Sequence, residues 1–282
     1  MPIMIPSNIV PLELQIAPRY MKENITIAIQ AALEAGKEIL RVYETDFSVE
    51  IKGDASPLTI ADKNANGIIV SYLKKTTIPI ISEENKTIDF SERKQWKRCW
   101  IVDPLDGTKE FVKRNGEFTV NIALVELGNP ILGVIYVPVS KTLYFTNQDA
   151  SKSYKISLKS EDTSAGEIFK NASKIAPSER IAPIKIVGSR SHLNEETASF
   201  ISEIEKENEV EIVSKGSSLK FCLVAEGAAH IYPRYAPTME WDTAAGQAIC
   251  QAVGVSVTDI TTQKSLQYNK ENLLNNHFLV KR

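Results

Sequence analysis

Apolar residues recur at helical spacing near the start of this chain and at strand spacing in its middle. The helical pattern over residues 25–43 predicts a long amphipathic helix. A second pattern predicts a helix over about residues 62–75, with Asp62 or Thr59 as its N-cap. Short apolar runs then predict strands at 78–81, 100–102, 120–127, 131–137 and 143–145. This part is therefore predicted to be an antiparallel sheet flanked by helices, an α+β arrangement.

The last hundred residues alternate strand and helix patterns, which is typical of an α/β domain. Strands are predicted at 184–187, 210–213, 229–232 and 255–258, and helices at 194–206, 218–226 and 243–252. Residues 151–180 are rich in Ser, Lys, Glu and Asn, so they are predicted to be a linker or a surface excursion. We therefore expect an N-terminal α+β domain over 22–150 and a C-terminal α/β domain over 181–282 that share an interface.

The first twenty-one residues contain four prolines, at Pro2, Pro6, Pro11 and Pro18. Proline lacks a backbone donor, so this segment is not expected to form a regular helix. Residues 1–21 are predicted to be an irregular N-terminal arm. An equally weighted alternative is that Met21 is the natural start.

Composition narrows the possible partners. Lys and Arg total 33 and Asp and Glu total 35, for a net charge of −2, so no general basic field favours nucleic acid or an anionic membrane. The three cysteines have no CxxC spacing, which favours a reducing compartment, and the few histidines argue against a zinc site. No apolar stretch is long enough to span a bilayer. We expect a cytoplasmic protein, with peripheral association with the inner membrane left open.

The segment Trp100-Ile-Val-Asp103-Pro-Leu-Asp106-Gly-Thr108 carries the clearest chemistry. A strand end delivers Asp103, and the proline-containing exit can aim Asp106 and the Leu105 carbonyl at one point. Two acids this close repel each other unless a cation joins them, and hard oxygen ligands suit Mg²⁺. Gly107 permits a close backbone approach, and Thr108 begins a helical turn that favours a phosphate. The alternative is an Asx-type turn of solvated acids.

Other acidic residues lie in comparable settings. Glu83 and Glu84 follow an apolar strand, and Asp242 stands at a predicted helix start. Asp54 precedes the second helix. Taken singly, these residues are equally well explained as charged loop edges and helix caps.

Together these segments resemble the lithium-sensitive, magnesium-dependent phosphatases of the inositol monophosphatase superfamily. The two signature blocks stand at 100–108 and 241–245, with Ser82-Glu83-Glu84 and Asp54-x-x-Pro57-x-Thr59-x-x-Asp62 upstream. Within the superfamily, Lys109-Glu110-Phe111 replaces the usual Thr-Asn-Phe, and residues 216–222, 225–227 and 232–234 also resemble the 3'(2'),5'-bisphosphate nucleotidases. The resemblance implies a layered αβαβα sandwich with the metal site where its two halves meet.

The resemblance also implies residue roles. Glu83, Asp103, the Leu105 carbonyl, Asp106 and Asp242 would hold two or three Mg²⁺ ions, and Asp54 with Thr108 would form the relay that takes the proton from the attacking water. The implied substrate contacts are Glu83, Leu105, Asp106, Gly107, Thr108, His192, Ser217, Lys220, Arg234 and Asp242. Ser217, Lys220 and Arg234 would contact the nucleotide and its second phosphate, and His192 would lie near the base.

The implied reaction is hydrolysis of 3'-phosphoadenosine 5'-phosphate to AMP and phosphate by a monomer or homodimer. Two alternatives stay open. One is an inositol monophosphatase or sugar-bisphosphatase on the same scaffold. The other is a metal-dependent nucleotide sensor without turnover, which would be expected to lack Asp54, Thr108 or a metal ligand; all of these are present.

Overall fold

The structure is a computed structural model that describes residues 12–44, 49–51, 57–179, 181–188 and 194–282, with side chains described from residue 20 except at 49–51 and 57–59. Helix α1 (Leu12–Tyr43) and helix α2 (Ile60–Leu73) pack side by side as the first layer. Between them lie the antiparallel strands β1 (Val49–Ile51) and β2 (Pro57–Thr59). A 3₁₀ turn, Lys74–Thr76, follows α2. Small residues on α1 bring the two helices close together: Ala28, Ala31, Ala32 and Ala35.

A seven-stranded sheet forms the second layer. Its strands are β3 (Ile80–Ser82), β4 (Arg98–Asp106), β5 (Thr119–Glu126), β6 (Asn129–Val137), β7 (Thr142–Thr146), β8 (Ser153–Ser157) and β9 (Ser173–Lys174), in that spatial order. The short helices α3 (Phe90–Arg93), α4 (Thr108–Val112) and α5 (Ala165–Asn171) connect them. β3 and β4 are parallel, and every other neighbouring pair is antiparallel.

Side chains of the central strand β4 alternate between the two faces of this sheet. Trp100 and Val102 join the core beneath α1 and α2, whereas Cys99 and Ile101 join the core on the opposite face. Asp103 follows Ile101 by two positions. The alternation therefore directs Asp103 away from α1 and α2 and toward the middle of the molecule.

The middle layer consists of α7 (Leu219–Ala225) and α8 (Glu240–Gln251). Glycines allow α8 to lie close to both neighbours. A Cβ at Gly133 in β6 would lie 2.5 Å from the Ala245 carbonyl oxygen, and a Cβ at Gly246 would lie 2.4 Å from the Phe221 ring. The position of α8 is therefore fixed by contacts that leave no room for even a methyl group.

The last two layers are a five-stranded sheet and the helix α6 (Glu195–Glu205), which covers its outer face through Ile201. The strands are β10 (Ile184–Gly188), β11 (Val210–Ser214), β12 (Ile231–Arg234), β13 (Ser256–Asp259) and β14 (Phe278–Lys281). Their spatial order is β11-β10-β12-β14-β13, and β10 runs parallel to both β11 and β12. Counted across the described residues, the layers alternate helix, sheet, helix, sheet, helix, which confirms the predicted sandwich.

Two predicted segments differ from the structure. α1 begins at Leu12, so the prediction of an irregular arm is wrong for residues 12–21, and residues 1–11 lie outside the described part. Pro18 removes one backbone donor, but Leu12, Glu13, Leu14 and Gln15 before it are good helix formers. Whether Met21 is the natural start stays a prediction.

The segment over 151–180 is not a linker. β8, α5 and β9 extend the seven-stranded sheet, so this sheet continues well past residue 150. Ile168 of α5 is fully buried, and a Ser164–Glu167 capping box starts that helix. The polar composition is misleading because strands at the edge of a sheet carry many charged and polar residues.

Candidate active site

Three aspartates from the two halves of the chain meet at the end of β4. Ligand oxygens of Asp103, Asp106 and Asp242 all lie within 4.8 Å of one another. Asp103 and Asp106 belong to β4, whereas Asp242 lies in the first turn of α8. The structure therefore brings together three of the predicted metal ligands, although Asp242 is far from the other two in sequence.

Asp103 is held by its own loop. Its Oδ1 accepts a hydrogen bond from the Leu105 backbone N–H at 3.0 Å, and the residue is 1% exposed. The pairing of β4 with β5 is irregular between Asp103 and Asp106. This break in the ladder lets both aspartates, three positions apart, reach the same cluster although alternation would place them on opposite faces.

Asp106 is fixed by residues of the other half. Its Oδ2 accepts hydrogen bonds from the Ser218 backbone N–H at 2.6 Å and the Ser218 hydroxyl at 2.7 Å. The Asn121 side-chain amide donates to Ser218 Oγ at 2.8 Å and reaches Asp106 Oδ2 at 3.4 Å. These contacts orient the carboxylate through one of its two oxygens.

Asp242 does cap its helix, as its position in the sequence suggests, but it also joins the cluster. Its Oδ2 accepts a hydrogen bond from the Met239 backbone N–H at 2.7 Å. The Ser218 hydroxyl also lies 3.0 Å from the Asp242 carbonyl oxygen. The helix-cap and metal-ligand interpretations are therefore compatible for this residue.

The electrostatics of the cluster favour a bound cation. Burial, together with the charges of Glu83, Asp106 and Asp242, raises the pKa of Asp103 well above its usual range. Burial and the charge of Asp106 raise the pKa of Asp242 to about 8. Within the described part of the chain, no Lys or Arg forms an ion pair with any of the three carboxylates. Clustered, uncompensated oxygen donors of this kind fit a hard divalent cation.

Two further acidic residues lie near the cluster. Glu83 follows β3, and its backbone N–H donates to the Val102 carbonyl at 3.2 Å. Its side chain is exposed and is not among the three that approach within 4.8 Å. Asp62 of α2 is 3% exposed, and its charge contributes to the raised pKa of Asp103.

The turn after Asp106 allows a ligand to approach the backbone closely. Gly107 has φ of 93°, a left-handed conformation that glycine adopts without strain, and it precedes α4. The Thr108 hydroxyl lies 3.4 Å from the Leu105 carbonyl oxygen. Leu105 is 1% exposed and packs in the core. Leu105, Gly107 and Thr108 therefore flank Asp106 of the cluster along the chain.

A cavity of about 420 Å³ opens beside the three aspartates. Both halves of the chain line it, and its wall includes six residues predicted to contact the substrate: Asp106, Gly107, Ser217, Lys220, Arg234 and Asp242. Gly188, Ser214 and Arg234 end the parallel strands β10, β11 and β12, so their carboxyl ends share one edge of the sheet. In open α/β sheets, ligands bind outside this edge.

Lys220 is buried within this cavity wall. Its Nζ donates to the Ser217 carbonyl at 2.7 Å and lies 3.5 Å from the Lys215 carbonyl. Burial, with a contribution from Arg234, lowers the pKa of Lys220 to about 8 against the attraction of Asp106. The Arg234 Nη2 donates to the Pro237 carbonyl at 3.2 Å, whereas its Nε is buried without a partner. An unpaired buried donor in a cavity wall is suited to an anionic ligand.

Ser217 carries backbone strain next to these cations. Its φ is 44°, which is unfavourable for a residue with a Cβ. Its carbonyl accepts the Lys220 ammonium, and its hydroxyl lies 3.4 Å from that of Thr119. Two glycines lie close by: an added Cβ at Gly107 would lie 3.3 Å from Ser217 Cβ, and one at Gly216 would lie 2.8 Å from Glu110 Cγ.

Two predicted residues, Asp54 and His192, lie outside the described residues, so their roles stay predictions. Conversely, sequence reasoning missed Asn121 and Ser218. Polar Thr119 and Asn121 stand two positions apart in the otherwise apolar β5, so both face the same side. These two polar residues in an apolar strand were the feature of the sequence that could have indicated Asn121. The cavity also includes Lys109, Lys113 and Thr238, to which no role was assigned.

Comparison with known proteins agrees with this geometry. The sequence profile of the Inositol monophosphatase family matches residues 21–281. The chain belongs to the inositol monophosphatase family. No helix in the described part of the chain is both long and apolar enough to cross a membrane.

Relatives with high identity share one name. The chain is 42% identical over 259 residues to the 3'(2'),5'-bisphosphate nucleotidase CysQ of Salmonella typhimurium, covering 89% of this chain and 96% of the relative. It is 45% identical over 232 residues to the protein of that name from Buchnera aphidicola, covering 81% of each.

Solved structures with a similar fold include a CysQ and an inositol monophosphatase. CysQ from Bacteroides thetaiotaomicron, a bacterial member of the inositol monophosphatase family, superposes with a TM-score of 0.83 at 48% identity, covering 92% of this chain and 97% of that one. A Thermotoga maritima inositol monophosphatase superposes with a TM-score of 0.70 at 24% identity, covering 90% of this chain and 89% of that one, which shows the shared fold.

Proposed function

We propose that this chain is a magnesium-dependent phosphomonoesterase that hydrolyses 3'-phosphoadenosine 5'-phosphate to AMP and phosphate. One observation carries the proposal. Asp106 and Asp242 of the carboxylate cluster line the same cavity as the cations Lys220 and Arg234. A metal-bound scissile phosphate and a second phosphate could therefore be held at the same time. The name shared by the relatives supports the same substrate class.

Asp103, Asp106 and Asp242 would hold Mg²⁺. The Glu83 carboxylate and the Leu105 carbonyl would be further oxygen ligands. When bound, the ions acidify a water molecule and neutralise charge on the entering and leaving oxygens. Asp103 is the most buried of the three aspartates. We assign it the bridging position, because burial and the surrounding carboxylates disfavour its ionised form, which a cation would stabilise.

The chain's own residues would move the proton. Thr108 lies beside Leu105 at the start of α4, and together with Asp54 it is assigned the relay that takes a proton from the attacking water. Displacement would be in line at phosphorus. Cys99, Cys222 and Cys250 are buried free thiols outside this site, so none is placed as a nucleophile. Their free state fits a cytoplasmic location.

Lys220, Arg234 and Ser217 would bind the part of the nucleotide that does not react, with His192 near the base. The Arg234 Nε is available to a ligand, and Lys220 keeps an ammonium hydrogen beyond those used by backbone carbonyls. Charge-assisted hydrogen bonds from both side chains would favour a second phosphate. The reaction would dispose of a by-product of sulfate activation.

A single comparison of substrates tests the proposal. Phosphate release with Mg²⁺ is measured on 3'-phosphoadenosine 5'-phosphate, inositol 1-phosphate and fructose 1,6-bisphosphate side by side. The nucleotide is expected to have the highest kcat/KM. A higher kcat/KM for the inositol or sugar ester would contradict the proposed specificity. Nucleotide binding without any phosphate release would favour a sensor.

A further inference from the structure

Near Asp242 in sequence, Glu240 forms an ion pair with Lys270 that does not line the cavity and to which the proposed mechanism gives no role. Glu240 is the first residue of α8, stands two positions before Asp242, and is 0% exposed. Its Oε1 accepts the Lys270 ammonium at 2.7 Å. An ion pair whose carboxylate is fully buried contributes little net stability, because the cost of removing the charge from water offsets the attraction, so this pair calls for another explanation.

Every donor and acceptor in the pair is used. The Glu240 carboxylate also accepts the backbone N–H groups of Asn269 at 2.6 Å and Lys270 at 3.0 Å. The Lys270 ammonium also donates to the Gln267 carbonyl at 3.0 Å and to Asn275 Oδ1 at 3.1 Å. The ammonium thus has three acceptors for three hydrogens. The pair therefore ties the start of α8 to the loop formed by residues 267–275.

Asn275 extends this connection to the metal ligand. Its Nδ2 donates to the Met239 carbonyl at 2.8 Å and to the Thr243 hydroxyl at 3.0 Å. Met239 in turn donates its backbone N–H to Asp242 Oδ2 at 2.7 Å. A continuous series of hydrogen bonds thus runs from Lys270 through Asn275 and Met239 to the carboxylate of Asp242.

The loop itself is anchored in the other half of the chain. Arg93, 2% exposed, donates from Nη1 to the Asn269 side chain at 2.8 Å and to the Lys270 carbonyl at 3.0 Å. The Asn269 amide returns a hydrogen bond to the Arg93 carbonyl at 2.8 Å. The loop is therefore fixed against α3 on one side and against α8 on the other.

We propose that Glu240, Lys270 and Asn275 are positioning residues, which hold Asp242 at the distance from Asp103 and Asp106 that a divalent cation requires. The inference rests on the proposed function, since it assumes that the three aspartates bind metal. Asp242 is the one ligand of the cluster contributed by α8, so a small rotation of the helix start would move it away from the other two. Partners that orient metal ligands commonly affect metal affinity by about 10–100-fold.

The chain offers a matched control. Lys155 and Glu226 also form a pair at 2.7 Å, with 37% and 14% side-chain exposure against 33% and 0% for Lys270 and Glu240. Tyr144 donates to the same Glu226 oxygen, so this pair is also part of a network. It has no contact with Asp242. Lys270→Met and Lys155→Met therefore each remove an ammonium–carboxylate contact at 2.7 Å, and only the first of these contacts is connected to Asp242.

The test is calorimetric titration of each metal-free protein with Mg²⁺ alone, together with thermal unfolding in EDTA. Lys270→Met is expected to raise the Kd for Mg²⁺ about tenfold or more, while Lys155→Met stays within about twofold of wild type. Both should lower the Tm, Lys270→Met by more, because it leaves the fully buried Glu240 carboxylate without its cation. A purely structural role predicts the same loss of Tm with an unchanged Mg²⁺ affinity, and that result would overturn the proposal.

A second variant covers the case in which Lys270→Met does not fold. Asn275→Leu leaves the Glu240–Lys270 contact in place and removes the hydrogen bonds of the Asn275 side chain with Lys270, Met239 and Thr243. Its Kd for Mg²⁺ should rise in the same direction, and wild-type affinity would overturn the connection through Asn275. Because the titration contains no nucleotide, failure of wild type to hydrolyse the bisphosphate would remove the proposed function without changing this comparison.

Discussion

The Ser218 hydroxyl lies 2.7 Å from Asp106 Oδ2 and 3.0 Å from the Asp242 carbonyl oxygen, so one side chain contacts a proposed metal ligand from each half of the chain. Ser218 is 2% exposed and precedes α7. Its backbone N–H donates to the same Asp106 oxygen. The relative position of the two aspartates therefore depends on this residue.

Ser218→Ala is expected to weaken Mg²⁺ binding about tenfold, because it removes a hydrogen bond that orients Asp106 and leaves the Asn121 amide without its nearest acceptor. The measurement is the Mg²⁺ concentration that gives half-maximal activity. Ser153→Ala is the control, since that buried hydroxyl bonds to the Ile249 carbonyl away from the site. Equal effects of the two substitutions would mean that Ser218 acts only on stability.

Asp103→Asn is expected to abolish magnesium-dependent turnover, since a neutral amide cannot replace a bridging carboxylate. Retention of more than about a tenth of kcat, a loss of less than about 1.4 kcal/mol, would contradict the bridging role. In EDTA, however, the same variant should have a higher Tm than wild type, because it removes a buried carboxyl group that its acidic neighbours make costly to ionise. Circular dichroism melts with and without Mg²⁺ would measure both effects.

The raised pKa values of Asp103 and Asp242 also set the pH dependence of the metal-free protein. A carboxyl group whose pKa is higher in the folded state binds more protons when folded, so stability is lost as pH rises. For Asp242 the loss should extend from its ordinary pKa of 3.8 to about 8. Melts in EDTA between pH 5 and 8 should show a falling Tm, with a smaller fall in Asp103→Asn. A wild-type Tm that rises across this range would contradict the electrostatic account.

Alanine at Lys220 or Arg234 should lower the preference for the bisphosphate over adenosine 3'-phosphate, which lacks the second phosphate. A charge-assisted contact is worth about 1.5–3 kcal/mol, so the ratio of the two kcat/KM values should fall about tenfold or more. Equal losses on both substrates would place these residues at the reacting phosphate. Unchanged values would indicate that neither side chain contacts the substrate.

The lowered pKa of Lys220 gives a separate expectation. As pH rises through about 8, the buried ammonium loses its proton and its attraction for the second phosphate. The preference for the bisphosphate, measured by kcat/KM, should therefore decline above pH 8 in wild type. Lys220→Arg should remove this decline, because a guanidinium stays charged. A decline of equal size in Lys220→Arg would assign the effect to another group.

The parts of the fold that sequence predicted best are those with one-sided burial. Helical spacing marked most of α1, and alternation of strand and helix marked the second half of the chain, because each element buries one continuous face. The acidic segment at 100–108 was recognisable because strand, proline, acids and glycine occur together. The prediction that this segment lies close to Asp242 came from the family resemblance, because no local sequence pattern connects residues so far apart.

What could not be predicted arises from packing between elements. Ser218 looked like an ordinary helix start, and its contact with Asp106 depends on how the two sheets sandwich α7 and α8. Lys270 stands in a polar loop, and nothing nearby in sequence indicates that its ammonium meets a fully buried Glu240. β8 and β9 were missed because a sheet edge tolerates the same polar residues as a loop.

Asp103 and Asp106 come from the seven-stranded half, and Asp242 comes from the other half, so no fragment cut between the two sheets contains the complete ligand set. A cation that binds the assembled ligands but not the unfolded chain adds its binding free energy to folding. The availability of the cation would then influence how long the protein resists proteolysis as well as how fast it works. In a magnesium-starved cell, loss of activity and loss of the polypeptide would share one cause.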